Sequence, residues 1–269
     1  MFVHTTTLWL VACPDPAEQL RRGVVADPDR TDEFIRRAFV DSSPSAVAST
    51  DLSALAAAGD DEVFAGHFGD LTVLAGRSLS TTSPAELTEF VAGLAPDRTV
   101  LLLSLNPETS TGTFARWENG RLVRSFAASP ATIHDDQGLP YPFESEFWAG
   151  DRPLQYLPDA EPDPLDLPFH PAELAEEANR RWLGFRFTPP SGDDDTALDR
   201  IPVYAYSILP SGADWSPAAQ APTREPAVVE SPSDVEVTMP IARVEVDDTA
   251  QTTHSPGPIS RYFGFRGRL

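Results

Sequence analysis

Asn119-Gly120 is the feature that most constrains this fold. Both residues of a two-residue hairpin loop need positive φ, which Asn and Gly adopt at least cost. The flanking residues 113–118 and 121–127 are rich in strand formers. A two-residue loop places Glu118 opposite Arg121 and Trp117 opposite Leu122, a cross-strand ion pair beside an apolar pair. One antiparallel ladder is therefore expected near the middle of the chain. Residues 63–68 and 71–75 around Gly69-Asp70 read as a second hairpin.

Other strands follow from pattern. Residues 100–105 form a continuous apolar run, as expected for a strand buried on both faces. Residues 5–13, ending before Pro14, read as a first strand, and 203–208 as the last. Three helices open alike, with a polar cap, a proline and then a glutamate: Asp15-Pro16-Ala17-Glu18, Ser83-Pro84-Ala85-Glu86 and His170-Pro171-Ala172-Glu173. Proline is tolerated there because the first helical N–H has no helical partner. In the first two, the glutamate is expected to reach back as in a capping box. The third carries Glu176 and Glu177 early and Arg180 and Arg181 late, which complements its dipole, and Gly184 should end it. Residues 32–39 behind Thr31 predict another helix. The fold class is α+β: a mixed, largely antiparallel sheet with helices packed on it.

The 27 prolines, about double the usual share of roughly 5%, cluster in loops and beyond residue 208. Residues 151–168 read as an exposed acidic loop. Residues 1–208 form the expected domain, and 209–269 an acidic, proline-rich segment too polar to offset its ordering entropy. A disordered tail is expected there. Its last residues differ: Arg261, Arg266 and Arg268 alternate with Tyr262, Phe263 and Phe265, residue types that dominate binding hot spots. This segment is the candidate contact for a protein partner.

A formal charge of -21 repels nucleic-acid backbones and anionic membranes, so neither is an expected partner. All 20 basic residues are arginine. Without lysine, Schiff-base and pyridoxal chemistry, Walker A phosphate binding and Ser-x-x-Lys acyl transfer are excluded. Cys13 is the only cysteine, which precludes an internal disulfide and a cysteine-based zinc site and suits a cytoplasmic location. Leu10-Val11-Ala12-Cys13 matches a lipoprotein cleavage pattern. Residues 1–9, however, carry no Arg or Lys, and Thr5, Thr6 and Thr7 interrupt the apolar core such a signal needs.

Candidate chemistry is sparse. His134 and Asp135, with Glu144 shortly after, could form a general-base site, although Asp135-Asp136-Gln137-Gly138 is also good turn chemistry. His67 lies in a strand, either as a catalytic group or as a hydrogen-bonded sheet histidine. Asp193-Asp194-Asp195, and Asp159, Glu161, Asp163 and Asp166, lack the ligand spacing of a calcium loop, so no metal is expected. No Gly-x-Ser-x-Gly elbow or Gly-x-Gly-x-x-Gly fingerprint is present, and no cofactor is expected. The expected function is a soluble, non-enzymatic protein-interaction module. The alternative is an enzyme using His134, Asp135 and Glu144. Oligomeric state leaves no mark in this sequence.

Trp117-Glu118-Asn119-Gly120-Arg121-Leu122-Val123-Arg124-Ser125 resembles the hairpin of an uncharacterised family of actinobacterial proteins, a domain of unknown function. Val63-Phe64-Ala65-Gly66, Leu139-Pro140-Tyr141-Pro142-Phe143-Glu144 with Phe147-Trp148-Ala149-Gly150, and Leu167-Pro168-Phe169-His170-Pro171 through Gly184-Phe185 are similar to the same family. The resemblance spans most of residues 3–207. Cys13 departs from it, standing where members carry a small or acidic residue. It implies a shared fold and no activity.

Overall fold

A computed structural model describes residues 4–40, 42–154, 164–189 and 191–210. The elements run β1 (Thr5–Val11), α1 (Pro16–Arg22), α2 (Pro28–Ala38), β2 (Ser42–Asp51), β3 (Glu62–His67), β4 (Leu71–Ala75), α3 (Thr88–Leu94), β5 (Thr99–Asn106), β6 (Thr111–Glu118), β7 (Arg121–Ser129), β8 (Thr132–Gln137), α4 (Glu144–Trp148), α5 (Pro171–Leu183) and β9 (Pro202–Pro210). The nine strands form one sheet in the order β2-β9-β3-β4-β1-β5-β6-β7-β8. Every pairing is antiparallel, which sharpens the mixed sheet expected from sequence.

The hairpin register is the expected one, with Trp117 opposite Leu122 and Glu118 opposite Arg121. Asn119 and Gly120 take φ of 50° and 71°. The ion pair differs: Glu118 is held by Arg116 at 2.8 Å, two residues back on the same strand. The capping prediction also needs revision. Asp15 does cap α1 by accepting from the Glu18 N–H, but Glu18 turns outward to Arg21 and Arg22. Residues 84–87 form a 3₁₀ turn rather than α-helix, and Ser83 makes no side-chain cap. Helix α2 starts earlier than predicted, capped by Asp27. Thr31 lies inside it, where its hydroxyl donates to the Asp27 carbonyl at 2.6 Å. His170 caps α5 through Nδ1, and Gly184 ends it in the left-handed region at φ 74°.

Alternation sorts the side chains of the central strands onto two faces. Leu8, Leu10, Val100, Leu102, Ala115 and Trp117 pack under α2 and α3. On the other face Trp9, Val11 and Leu101 pack with α1 and the end of α5. Leu103, Phe114 and Phe126 lie there too, beneath α4 and the body of α5. Both faces of β5 are thus covered, which is why residues 100–105 are apolar without alternation. Gly112 on β6 is where α5 comes closest. A Cβ there would collide with the backbone of Pro171 and Ala172.

Edge strand β2 and the strand character of residues 132–137 were not legible in sequence. Their apolar content is low because β2 is exposed on both sides and β8 largely so. Pro44 and the register shift at Val47 break the regularity of β2, as exposed edges often are. Of the expected loop at 151–168, residues 155–163 lie outside the described residues. Leu167 is buried, its N–H bonded to the Pro130 carbonyl at 2.6 Å. Among the described residues no helix is long and apolar enough to cross a membrane.

Candidate functional site

The structure does not gather His134, Asp135 and Glu144 around one point. His134 is exposed, falls at the register shift of β8, and meets only the Ser129 hydroxyl, at 3.2 Å. Asp135 accepts from the Ser125 hydroxyl and from Gln137 Nε2 at 2.7 Å. Glu144 is completely buried at the start of α4 and faces Arg124. Its Oε1 and Oε2 accept from Arg124 Nε and Nη2 at 3.0 and 2.6 Å, and Oε1 also takes the Tyr141 N–H. Arg124 Nη1 meets Asp136 and the carbonyls of Ser125 and Gln137. Burial works against the charge of Arg124, but Glu144 and Asp136 together hold its pKa above the ordinary value. Both oxygens of Glu144 are engaged and the side chain is completely buried, so it fastens α4 to Arg124 of β7 and is closed to a substrate. Among the described residues no three His, Cys, Asp or Glu side chains are placed to share a metal ion. Asp195 is paired with Arg180 instead. Arg261, Tyr262, Phe263, Phe265, Arg266 and Arg268 lie outside the described residues.

A different histidine does face a hollow. A cleft of about 270 Å³ lies over the sheet between α2 and the end of α3. Its floor is Leu10 with Thr72 and His67, and its walls carry Arg30, Arg37 and Arg98. The backbone of His67 is fixed to the start of α2. Its N–H donates to the Thr31 hydroxyl at 3.0 Å, and its carbonyl accepts from the Asp27 N–H at 2.9 Å. The ring Nδ1 lies 2.9 Å from the Thr72 hydroxyl. Burial, and then the nearby charge of Arg98, push its pKa below the ordinary histidine value, so the ring is neutral at pH 7.

The arginines differ in how they are matched. Arg30 pairs with Glu33 at 3.2 Å, an exposed contact of little strength. Arg37 lies over the Phe34 ring and donates weakly to the Leu94 carbonyl at 3.4 Å. Among the described residues neither Arg37 nor Arg98 has a carboxylate within ion-pair distance. The cleft lining thus sets three arginines against two carboxylates, Glu33 and Asp97, a local excess of positive charge on a chain of formal charge -21. Sequence reasoning singled out His67 but not its neighbours. Arg30 and Arg37 lie far along the chain from Arg98, and no local pattern links them.

A single antiparallel sheet with helices on both faces defines an α+β module. The chain belongs to a family of unknown function, DUF6928, whose model matches residues 5–206. No curated protein and no solved structure matches it.

Proposed function

We propose that the chain is a non-enzymatic binding module whose α2–α3 cleft receives a small anionic group, a carboxylate or a phosphate. The observation that carries this reading is the pair Arg37 and Arg98, neither with a described carboxylate within ion-pair distance, beside a neutral imidazole in an open cleft. Guanidinium forks bind such anions with charge-assisted hydrogen bonds. With the Thr72 hydroxyl donating to Nδ1, the His67 Nε2–H is left as a further donor. Among the described residues the imidazole's one hydrogen-bonding partner is the Thr72 hydroxyl rather than a carboxylate, which favours binding over catalysis.

Sulfate, whose charge is constant across neutral pH, is the probe. Calorimetric titration at low salt should give saturable binding, weakened about tenfold or more by Arg98→Ala, a loss of about 1.4 kcal/mol. Arg200→Ala is the control, since Arg200 also has no carboxylate within ion-pair distance among the described residues but lies outside the cleft. Absence of saturable binding, or equal losses in both variants, would overturn the reading.

A further inference from the structure

The helical layer holds a second hollow with opposite chemistry. It lies at the start of α3, whereas the basic cleft lies at its end, and its volume is about 440 Å³. Ser104, Thr111 and Thr113 form its floor, with Ser80, Asn106 and Glu86 around the rim. No arginine, histidine or aromatic side chain lines it.

Its floor is costly by packing criteria. Thr6, Ser104 and Thr113 stand side by side on β1, β5 and β6, in a row continuous with the apolar rows beside it. All three are almost fully buried. Buried hydroxyls destabilise unless bonded, so leucine or alanine would serve packing better here. Thr6 and Ser104 are partly satisfied: their oxygens lie 2.8 Å apart, and Ser104 continues to Ser80 at 3.1 Å. Three hydroxyls joined by two bonds leave one O–H proton to donate. Thr113 Oγ1 has no partner at all. Above it, Asn106 Oδ1 accepts from the N–H groups of Glu108 and Thr109, which leaves its amide N–H₂ to donate.

The lining thus offers hydroxyls that both give and accept, an amide donor, and one exposed carboxylate. Glu86 opposes anions, with no cation nearby to compensate, and there is no ring face for an aromatic ligand to stack on. The complement is a small neutral molecule dense in hydroxyl groups. We infer that this hollow is a binding site for a neutral polyol, of the monosaccharide or cyclitol class. Thr113, Ser104 and Asn106 would hydrogen-bond its hydroxyls, and Glu86 would accept from two of them at the rim. This assignment is independent of the anion cleft.

Glucose and myo-inositol, titrated separately into the full chain and followed by saturation-transfer NMR and calorimetry, provide the test. One of them should bind saturably, with a dissociation constant on the order of 1–10 mM for a ligand of that size. Thr113→Val keeps the shape and removes an unpartnered hydroxyl. It should leave the thermal midpoint unchanged or higher and weaken the sugar about fivefold. Glu86→Gln, at an exposed position, should weaken it by a similar factor and keeps the test usable should Thr113→Val fail to fold. Arg98→Ala should leave sugar affinity unchanged. The inference is overturned by any of four results: no saturable binding of either sugar; binding undiminished in both pocket variants; loss of sugar binding in Arg98→Ala; or choline bound in preference to both sugars, which would make the hollow a cation site.

Discussion

Arg124 lies in strand β7 and Arg98 in the loop just before β5, and the two differ in how their charge is matched. Arg124 is 1% exposed and meets Glu144 through two nitrogens, Asp136 through a third, and two backbone carbonyls. Arg98 is half-buried at a cleft mouth, and although Glu33 and Asp97 line the same cleft, no described carboxylate lies within ion-pair distance of it. A buried charge left without a partner is not tolerated, so the first arrangement must be complete for the protein to fold. A partly hydrated charge can remain unmatched until a ligand arrives. An arginine's degree of saturation, rather than its mere burial, therefore separates fastening from binding here. The same criterion moves attention from Glu144, which the sequence suggested, to His67 and its arginines.

The largest test of this contrast is Glu144→Gln. It leaves Arg124 buried with one of its carboxylates neutralised, and urea unfolding should show a loss of about 3–5 kcal/mol. A variant stable to within about 0.5 kcal/mol would break the comparison, because Arg124 would then be as tolerant as Arg98. Arg98→Ala should do the reverse. Sulfate affinity falls about tenfold while folding stability stays within about 0.5 kcal/mol. Differential scanning calorimetry alongside the titration checks both at once.

A third test uses pH. The folded-state pKa of His67 lies below the ordinary value of 6.5. Below pH 6.5 the unfolded chain therefore takes up protons first, and the stability His67 contributes is lost as pH falls through that window. His170, also lowered by burial, acts in the same direction. Bound sulfate should oppose the His67 share, since an anion favours imidazolium. Affinity should then rise from pH 8 to pH 5.5, and His67→Ala should flatten that rise without removing the His170 contribution to stability. A flat profile in the unmodified chain would separate His67 from the cleft's function. The smallest effect concerns Glu33, whose exposed pairing with Arg30 competes for the ligand. Glu33→Gln should strengthen sulfate binding about twofold and change stability negligibly. Weaker binding would mean that Glu33 orients Arg30 rather than competing for it.

Much of the frame was legible in the chain. Asn119-Gly120 set the register of Glu118 with Arg121 and Trp117 with Leu122, beyond which a bulge at Val123 shifts it. Proline after a cap marked α1 and α5, and the apolar run of β5 announced a strand covered on both sides. Edge strands were harder, since Ser42–Asp51 buries no side and so carries no alternating apolar signal. The capping glutamates misled for a local reason: Glu18 had arginines three and four residues on, and an ion pair along the helix displaced the backward bond. On edge strand β8, His134 looked chemical because Asp135 and Glu144 follow it closely. Alternation and the bulge in β8 separate them instead, and Arg124, ten positions earlier, claims Glu144.

By itself the sequence determined what depends on neighbours along the chain: turn conformations, the starts of α1 and α5, two-sided burial of a strand, and the chemistries that lack of lysine and a single cysteine forbid. Only the tertiary structure decided which charges and hydroxyls would meet. Arg37, His67 and Arg98 come from a helix, a strand end and a loop, as Thr6, Ser104 and Thr113 come from three strands. Such a grouping is set by sheet order and register, which depend on long-range packing that leaves no local mark beside any one of those residues.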